Sequence, residues 1–223
     1  MIPTGARLLV MLLPLLSACR APRVAPLTGI PTSVALPAMA LPPGHQHIVF
    51  RWAFSDRLFG AKGDGVARLA PPDSVRLDFF LDGGVGGGYA IVIGDTIYTP
   101  GGDEARRYLP PVPLLWAAFG ALRLQGADTL LRVDGDTLRA DIVSDTLALS
   151  PNNSLPASFW RVAVVARELV RLERIADGRL EEFVERPDSA SVRYRQNGSR
   201  RSLGLTIQRR TRGSVFDPTI WQH

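Results

Sequence analysis

The chain has 223 residues, with 26 lysines and arginines against 21 acidic residues and a formal net charge of +5. Its single cysteine, Cys19, excludes a disulfide framework. Nucleophile–base pairs normally recruit a histidine, so three histidines in the whole chain argue against a hydrolase. We therefore expect no catalytic residue, no cofactor and no enzymatic activity.

The chain begins with the pattern of a signal peptide. Arg7 precedes an apolar run over residues 8–16, and small residues lead to Cys19. That run is about half the ~20 residues of a membrane-spanning helix. The ending Leu16-Ser17-Ala18-Cys19 resembles the bacterial lipobox, which implies cleavage after residue 18 and acylation of Cys19. The alternative is an ordinary signal peptide with an incidental cysteine.

The lipobox implies an exported protein whose acylated Cys19 inserts into a membrane. Arg20 is not the aspartate that retains lipoproteins at the inner membrane in enterobacterial-type sorting, so we predict the periplasmic face of the outer membrane. Nucleic acid is an improbable partner for such a protein. Residues 19–44 contain six prolines and almost no charge, which predicts an extended tether. The folded domain is then expected over residues 45–223.

Strand patterns dominate that domain. Val75, Leu77 and Phe79 alternate with polar residues, as half-buried strands do. Dipeptides typical of two-residue turns separate these strand patterns at hairpin spacing. The four dipeptides are Gly94-Asp95, Asp134-Gly135, Asp177-Gly178 and Asn197-Gly198. The pattern predicts an antiparallel meander.

Helix signals are confined to the middle of the chain. Residues 103–109 form one candidate, and residues 113–119 another, with a proline in the first turn and Gly120 just past the end. The second helix is apolar nearly all round, so it must be buried. Its natural place is the concave side of a sheet that curls into an open barrel.

These features resemble the LolA/LolB superfamily, the carriers and acceptors of bacterial lipoproteins. The resemblance rests on the segment 109–116 followed by Gly120, on the ending Phe216-Asp217-Pro218 with Trp221, and on the order of the strands. The lipobox makes it closer to LolB. The fold implied is a mainly β protein, an incomplete antiparallel barrel of about eleven strands over a hydrophobic cavity, with short helices as a lid.

The resemblance also implies a loop that touches the membrane. In LolB-like proteins an apolar residue projects from an early hairpin, and here Val85 stands between Gly84 and Gly86 in the loop over residues 82–88. The alternative is a flexible hairpin without a role. A phosphate-binding loop is disfavoured because the lysine and the hydroxyl residue of a P-loop are missing.

The function implied is the binding of acyl chains, in order to receive or insert lipoproteins at the outer membrane. The implied partners are acyl chains of lipoproteins or lipids and a soluble periplasmic carrier, and we expect a monomer. The alternative is an envelope interaction lipoprotein with the same fold and a filled core. His45 and His47 lie outside any carboxylate or cysteine cluster, so we predict no metal site. The predicted cavity residues are Trp52, Phe54, Leu77, Phe79, Ile91, Ile93, Leu115, Trp116 and Phe119.

Overall fold

The computed structural model describes residues 23–84, 86–124, 128–143 and 158–222. These residues form one antiparallel sheet and two short α-helices. The strands are β1 (Ile30–Pro31), β2 (Gln46–Ser55), β3 (Gly60–Ala70), β4 (Ser74–Leu81), β5 (Gly87–Ile93), β6 (Thr96–Tyr98), β7 (Asp128–Asp134), β8 (Thr137–Val143), β9 (Ser158–Val165), β10 (Glu168–Ala176), β11 (Arg179–Asp188), β12 (Ser191–Gln196) and β13 (Arg201–Arg212). The helices are α1 (Gly102–Arg106) and α2 (Val112–Ala118), and a 3-10 helix spans Pro218–Trp221. No helix in the described ranges is long and apolar enough to span a membrane.

The sheet consists of two meanders, β2–β6 and β7–β13, joined where β13 pairs with β2. Its edges are the two shortest strands, β1 and β6, and they do not pair with each other in the described part of the chain. The sheet therefore stays open. The prediction of a mainly β, incomplete antiparallel barrel with few helices is confirmed, with thirteen strands instead of about eleven.

Alternation along β2 shows which face of the sheet is the core. Ile48, Phe50, Trp52 and Phe54 are buried, whereas the intervening residues become exposed toward the end of the strand. Successive side chains of a strand point to opposite faces. One face of β2 therefore lines the concave core, and the other faces outward.

Two of the four predicted hairpin turns lie at the predicted residues, and the other two differ in position or length. Gly94-Asp95 and Asp177-Gly178 are two-residue turns as predicted, and both residues of the latter have positive φ, 51° and 70°. The turn between β7 and β8 is Gly135-Asp136, one residue later than predicted. The turn between β12 and β13 spans the four residues 197–200.

The proline-rich segment is not a free tether where the structure describes it. Leu27, Met39 and Leu41 are buried against the sheet, and β1 pairs with β7. Prolines prevent a helix here, as expected, but they are compatible with an edge strand. Without β1, β7 would be an unpaired edge of the sheet, and the pairing of β1 covers that edge. The prediction of an extended spacer is therefore wrong for residues 23–44.

Because this segment packs on the sheet, substitution of its buried residues should destabilise the domain. We expect Leu41→Ala to lower the free energy of unfolding by about 2–3 kcal/mol, because it removes a buried side chain from the core. The matched control is Val34→Ala, because the Val34 side chain is 60% exposed. This substitution is expected to change the free energy of unfolding by less than about 0.5 kcal/mol. Urea denaturation of both variants measures the difference. Equal, negligible effects would mean that the segment does not pack on the domain.

Candidate functional site

Helix α2 occupies the concave side of the sheet. Its residues Leu114–Ala118 are all buried. Leu115 and Trp116 pack with the first meander, whereas Leu114, Ala117 and Ala118 pack with the second. The helix therefore joins the two halves of the core, which explains why its sequence is apolar all round.

The end of α2 is fixed by backbone hydrogen bonds. The N–H of Gly120 donates to the carbonyl of Ala117 at 2.9 Å, and that of Ala121 donates to Trp116 at 3.0 Å. This is the Schellman arrangement, and Gly120 supplies the positive φ of 83° that it needs. The Arg186 guanidinium of β11 also approaches this glycine, with Nη1 2.6 Å from the position that a Cβ would occupy. The end of the helix therefore lies against β11.

Little room is left beneath α2. The residual void there is about 20 Å³ and is lined by apolar side chains of both meanders and by Leu115 and Phe119. A void must offer about 10–15 Å³ by this kind of measure to hold one water molecule. The space under the helix is therefore filled by the helix itself and cannot take an acyl chain in this conformation.

An open apolar pocket lies at one end of the concave side. Its volume is about 230 Å³, and it shares Phe79, Leu109 and Leu203 with the void under α2. The walls come from β2, β3, β4, β13 and the residues that follow α1. The lining residues are Trp52, Phe54, Phe59, Ala61, Phe79, Tyr108, Leu109 and Leu203.

Three aromatic rings form the rim of this pocket. The ring centroids of Phe54 and Phe59 are 5.2 Å apart, and Tyr108 stands edge-on to both at 5.9 and 5.7 Å. Phe59 is 46% exposed and Tyr108 44%, and the neighbouring Leu58 is 91% exposed. Apolar side chains that remain in water next to a pocket indicate a contact surface for an apolar ligand or partner.

The structure does not bring all the predicted cavity residues to one space. Trp52, Phe54 and Phe79 line the open pocket. Leu77, Leu115 and Phe119 line the void under α2, together with Phe79. Trp116 lines neither space; it is fully buried, and its Nε1 donates to the carbonyl of Gly94 at 2.9 Å.

Two predicted cavity residues, Ile91 and Ile93, face away from the core. Ala90 and Val92 of the same strand belong to the core cluster, so their neighbours point to the outer face. Ile91 is covered there, and Ile93 is 37% exposed. Their assignment to the cavity is wrong, because a strand that is apolar on both faces carries no alternation to show which face is inside.

The predicted membrane-contact hairpin lies at the same end of the sheet as the open pocket. The N–H of Asp82 donates to the carbonyl of Lys62, next to the pocket residue Ala61. Gly84 and Gly86 have φ of 75° and 97°, a backbone conformation that favours glycine. Val85 and Cys19 lie outside the described residues.

Sequence reasoning missed several pocket residues. Phe59 and Tyr108 lie in connections between elements, where no periodicity marks a side chain as inward-facing. Leu109 was placed in the lid segment but not in the cavity. Each of the two connections holds one aromatic residue, and no local pattern in the sequence directs its ring to the pocket.

A buried ionic group lies beside the void. Glu182 is 1% exposed, and its two carboxylate oxygens accept from Arg174 Nε at 2.6 Å and from the Tyr194 hydroxyl at 2.7 Å. Burial and the Glu182 carboxylate raise the pKa of Tyr194 well above its ordinary value. The phenol therefore keeps its proton and acts as the donor.

His45 lies directly before β2, and His47 lies within it. His45 packs edge-on against Phe216, with ring centroids 5.0 Å apart. Slight burial, with Arg68 and Arg209 nearby, lowers the pKa of His47. Within residues 23–84, 86–124, 128–143 and 158–222, no three His, Cys, Asp or Glu side chains come together to hold a metal ion.

Comparisons with known proteins give similar folds at low identity. No protein-family model and no curated protein matches the chain. Among solved structures it is similar to an outer membrane lipoprotein-sorting protein domain from Vibrio parahaemolyticus, with a TM-score of 0.44 and 6% identity over 80% of this chain and 89% of that one. It is also similar to a LolA superfamily protein from Nitrosomonas europaea, with a TM-score of 0.46 and 10% identity over 81% and 91%.

A third similar structure is a DUF1329 family protein from Desulfovibrio piger, with a TM-score of 0.45 and 9% identity over 80% of this chain and 90% of that one. At 6–10% identity the likeness concerns the fold alone.

Proposed function

We propose that this protein is a lipid-anchored envelope protein that binds one acyl chain of a lipid or lipoprotein in the open apolar pocket. The observation that carries the proposal is the pocket itself, a wholly apolar space of about 230 Å³ at the end of the concave side. Among the residues that the structure describes, its lining consists of aromatic and aliphatic side chains, with the Tyr108 hydroxyl at the rim. Such a lining suits a hydrocarbon chain and offers nothing to a polar substrate.

The energetics of the pocket support a ligand. Burial of apolar surface stabilises by about 25 cal/mol per Å². A protein that leaves Phe59 and Leu58 exposed beside an unfilled apolar pocket forgoes that stabilisation. An acyl chain that enters the pocket would recover it for the complex, which makes binding favourable without any change in the core.

The size of the pocket limits what it can hold. Small-molecule sites usually measure about 300–1,000 Å³, and this one is smaller and open on one side. It therefore suits part of one acyl chain, with the remainder lying over the exposed rim. Because the void beneath α2 is only about 20 Å³, the bound chain is expected at the rim and not under the helix.

The place of the pocket fits a role at a membrane. In this proposal an acylated Cys19 anchors the protein in the outer membrane, and the hairpin with Gly84 and Gly86 brings the pocket end toward the bilayer. A protein held in this way would receive an acyl chain from a soluble periplasmic carrier and pass it to the membrane. Reception of lipoproteins is the specific form of the proposal.

The test is to fill the pocket. The protein used is the unacylated chain over residues 20–223, which contains every described contact. Wild type is expected to bind a fluorescently labelled dodecanoyl probe saturably at micromolar concentration, and Ala61→Trp is expected to weaken binding at least tenfold by occupying the pocket.

The matched control is Ala53→Trp. Ala53 belongs to β2, next to the partner of Ala61, but it is exposed on the outer face of the sheet. This variant is expected to bind like wild type, and thermal unfolding checks that both variants fold. Equal binding by the two variants, or no saturable binding by wild type, would overturn the pocket as the acyl site.

One observation favours a second function. The filled space under α2 is the packing expected of an envelope interaction lipoprotein that holds no ligand. In that case the exposed rim would contact a partner protein instead of a chain. Absence of saturable probe binding by wild type supports this second function.

A further inference from the structure

We propose that the ligand of this pocket is an anionic amphiphile, whose carboxylate or phosphate headgroup binds to Arg201 and Arg106 while its chain lies in the apolar pocket. The inference rests on the proposed function and names the chemical class of its ligand.

Arg201 stands at the border between the apolar pocket and a neighbouring polar depression. Its guanidinium carbon lies 6.0 Å from the centroid of the Phe54 ring and 5.4 Å from that of Tyr108. Both rings form walls of the apolar pocket. A cation over two aromatic faces is held in place by their quadrupoles, so the charge remains beside the pocket mouth.

The polar depression is large enough for a headgroup. Its volume is about 520 Å³, and it shares Leu109 with the apolar pocket and Pro110 with the void under α2. A molecule with its chain against Leu109 would therefore place its polar end in the depression. The apolar pocket can hold the chain of an amphiphile, and the adjacent polar depression can hold its headgroup.

The charges that line the depression are mainly positive. Arg106, Arg107, Arg174 and Arg201 stand against the two carboxylates Asp95 and Glu182. Arginine is well suited to carboxylate and phosphate because its planar fork can donate two parallel hydrogen bonds. The depression therefore favours an anion over a neutral or cationic group.

Two of these arginines have hydrogen-bonding capacity to spare. Arg174 is committed to Glu182, and Arg107 pairs with Glu104 at 2.9 Å. Arg106 makes no ion pair with any residue that the structure describes. Arg201 donates from Nη1 to the carbonyl of Arg107, but its buried Nε has no hydrogen-bond partner in the described part of the chain.

A bound anion would supply acceptor oxygens for the Arg201 donors that make no hydrogen bond within the described part of the chain. The headgroup of a fatty acid or of an alkyl phosphate supplies acceptor oxygens of this kind. A hydrogen bond to a charged group raises affinity roughly tenfold or more. The structure therefore predicts a preference for anionic over neutral amphiphiles of the same chain length.

The experiment measures how well three dodecyl ligands displace the fluorescent probe from the chain over residues 20–223. Dodecanoate and dodecyl phosphate are expected to bind about tenfold more tightly than dodecanol. Arg201→Gln should reduce this preference to less than about threefold. The matched control is Arg195→Gln on the exposed outer face of β12, which should keep the full preference.

A substitute variant and a control with inorganic phosphate complete the experiment. If Arg201→Gln does not fold, Arg106→Gln replaces it, because Arg106 is exposed and its substitution should not disturb the fold. Arg106→Gln is expected to lower the preference for anions about two- to threefold. Inorganic phosphate alone should not displace the probe; displacement as strong as that by dodecyl phosphate would mean a free-anion site and would overturn the inference.

The outcomes separate the two proposals. Equal affinity of the wild type for dodecanol and the two anions would overturn the inference and leave the acyl pocket intact. Failure of all three dodecyl ligands to bind would instead overturn the proposed function. A preference for the anions that Arg201→Gln and Arg106→Gln both leave unchanged would also reject the assignment of the headgroup site.

Discussion

Replacing Trp116 with alanine is expected to lower the free energy of unfolding by about 3–5 kcal/mol, which is the usual cost of truncating a large buried aromatic side chain. Trp116 is fully buried at the centre of α2, between the helix and the first meander. The change would also remove the indole donor from the carbonyl of Gly94. Urea denaturation followed by circular dichroism measures the loss.

Two further variants show that the effect comes from the core. Trp116→Phe keeps most of the apolar volume and loses the hydrogen bond, so a smaller loss of about 1–2 kcal/mol is expected. Phe80→Ala removes an aromatic side chain that is 51% exposed and should change stability by about 0.5–1 kcal/mol. A loss below about 1 kcal/mol for Trp116→Ala would contradict the placement of α2 in the core.

Arg174→Met is expected to lower the free energy of unfolding by about 3 kcal/mol, at the lower end of what breaking a buried ion pair costs. The variant leaves the Glu182 carboxylate, 1% exposed, without its cationic partner. The lower end is expected because Arg174 itself is 37% exposed and water already reaches its head. Chemical denaturation at neutral pH measures the change.

The second variant in this series removes the uncompensated charge. In Arg174→Met combined with Glu182→Gln, the glutamine carbonyl still accepts the hydrogen bond of Tyr194. We expect the double variant to recover more than half of the lost stability, because no unpaired buried charge remains. A double variant as unstable as Arg174→Met alone would mean that lost packing, not the buried charge, explains the effect.

The parts of the fold that sequence could predict are those decided locally. The apolar residues 114–119 predict a buried helix whatever the partner, because no polar face remains for water. Asp177-Gly178 predicts its turn because both positions need positive φ. The alternation in β4 predicts which of its side chains face inward, and Val75 and Leu77 are buried as expected.

Other parts depend on contacts between distant segments. Residues 23–44 pack on the sheet because β7 would otherwise be an unpaired edge, which a proline count cannot reveal. The turn at Ala166-Arg167 has φ of 49° and 67° without glycine or asparagine, so tertiary pairing of β9 with β10 imposes it. Such features follow from the whole sheet and not from a window of sequence.

The site shows the same division. Trp52 and Phe54 are aromatic residues of a strand, and the alternation of β2 places both on the concave face. Tyr108 and Phe59 lie outside the strands, and only the return of the chain after α1 brings these two rings together. The pocket is therefore a product of tertiary packing, and its position at the rim instead of under α2 follows from how completely the helix fills the concave side.

The position of a bound acyl chain is the most direct test of this account. A dodecanoyl chain that carries a terminal photoreactive diazirine can be irradiated in complex with the chain over residues 20–223, and the labelled peptides identified by mass spectrometry. We expect labels on the pocket walls at Phe59, Ala61 and Tyr108. Labels confined to the outer face of β5, at Tyr89, Ile91 or Ile93, would contradict the open apolar pocket as the acyl-binding site.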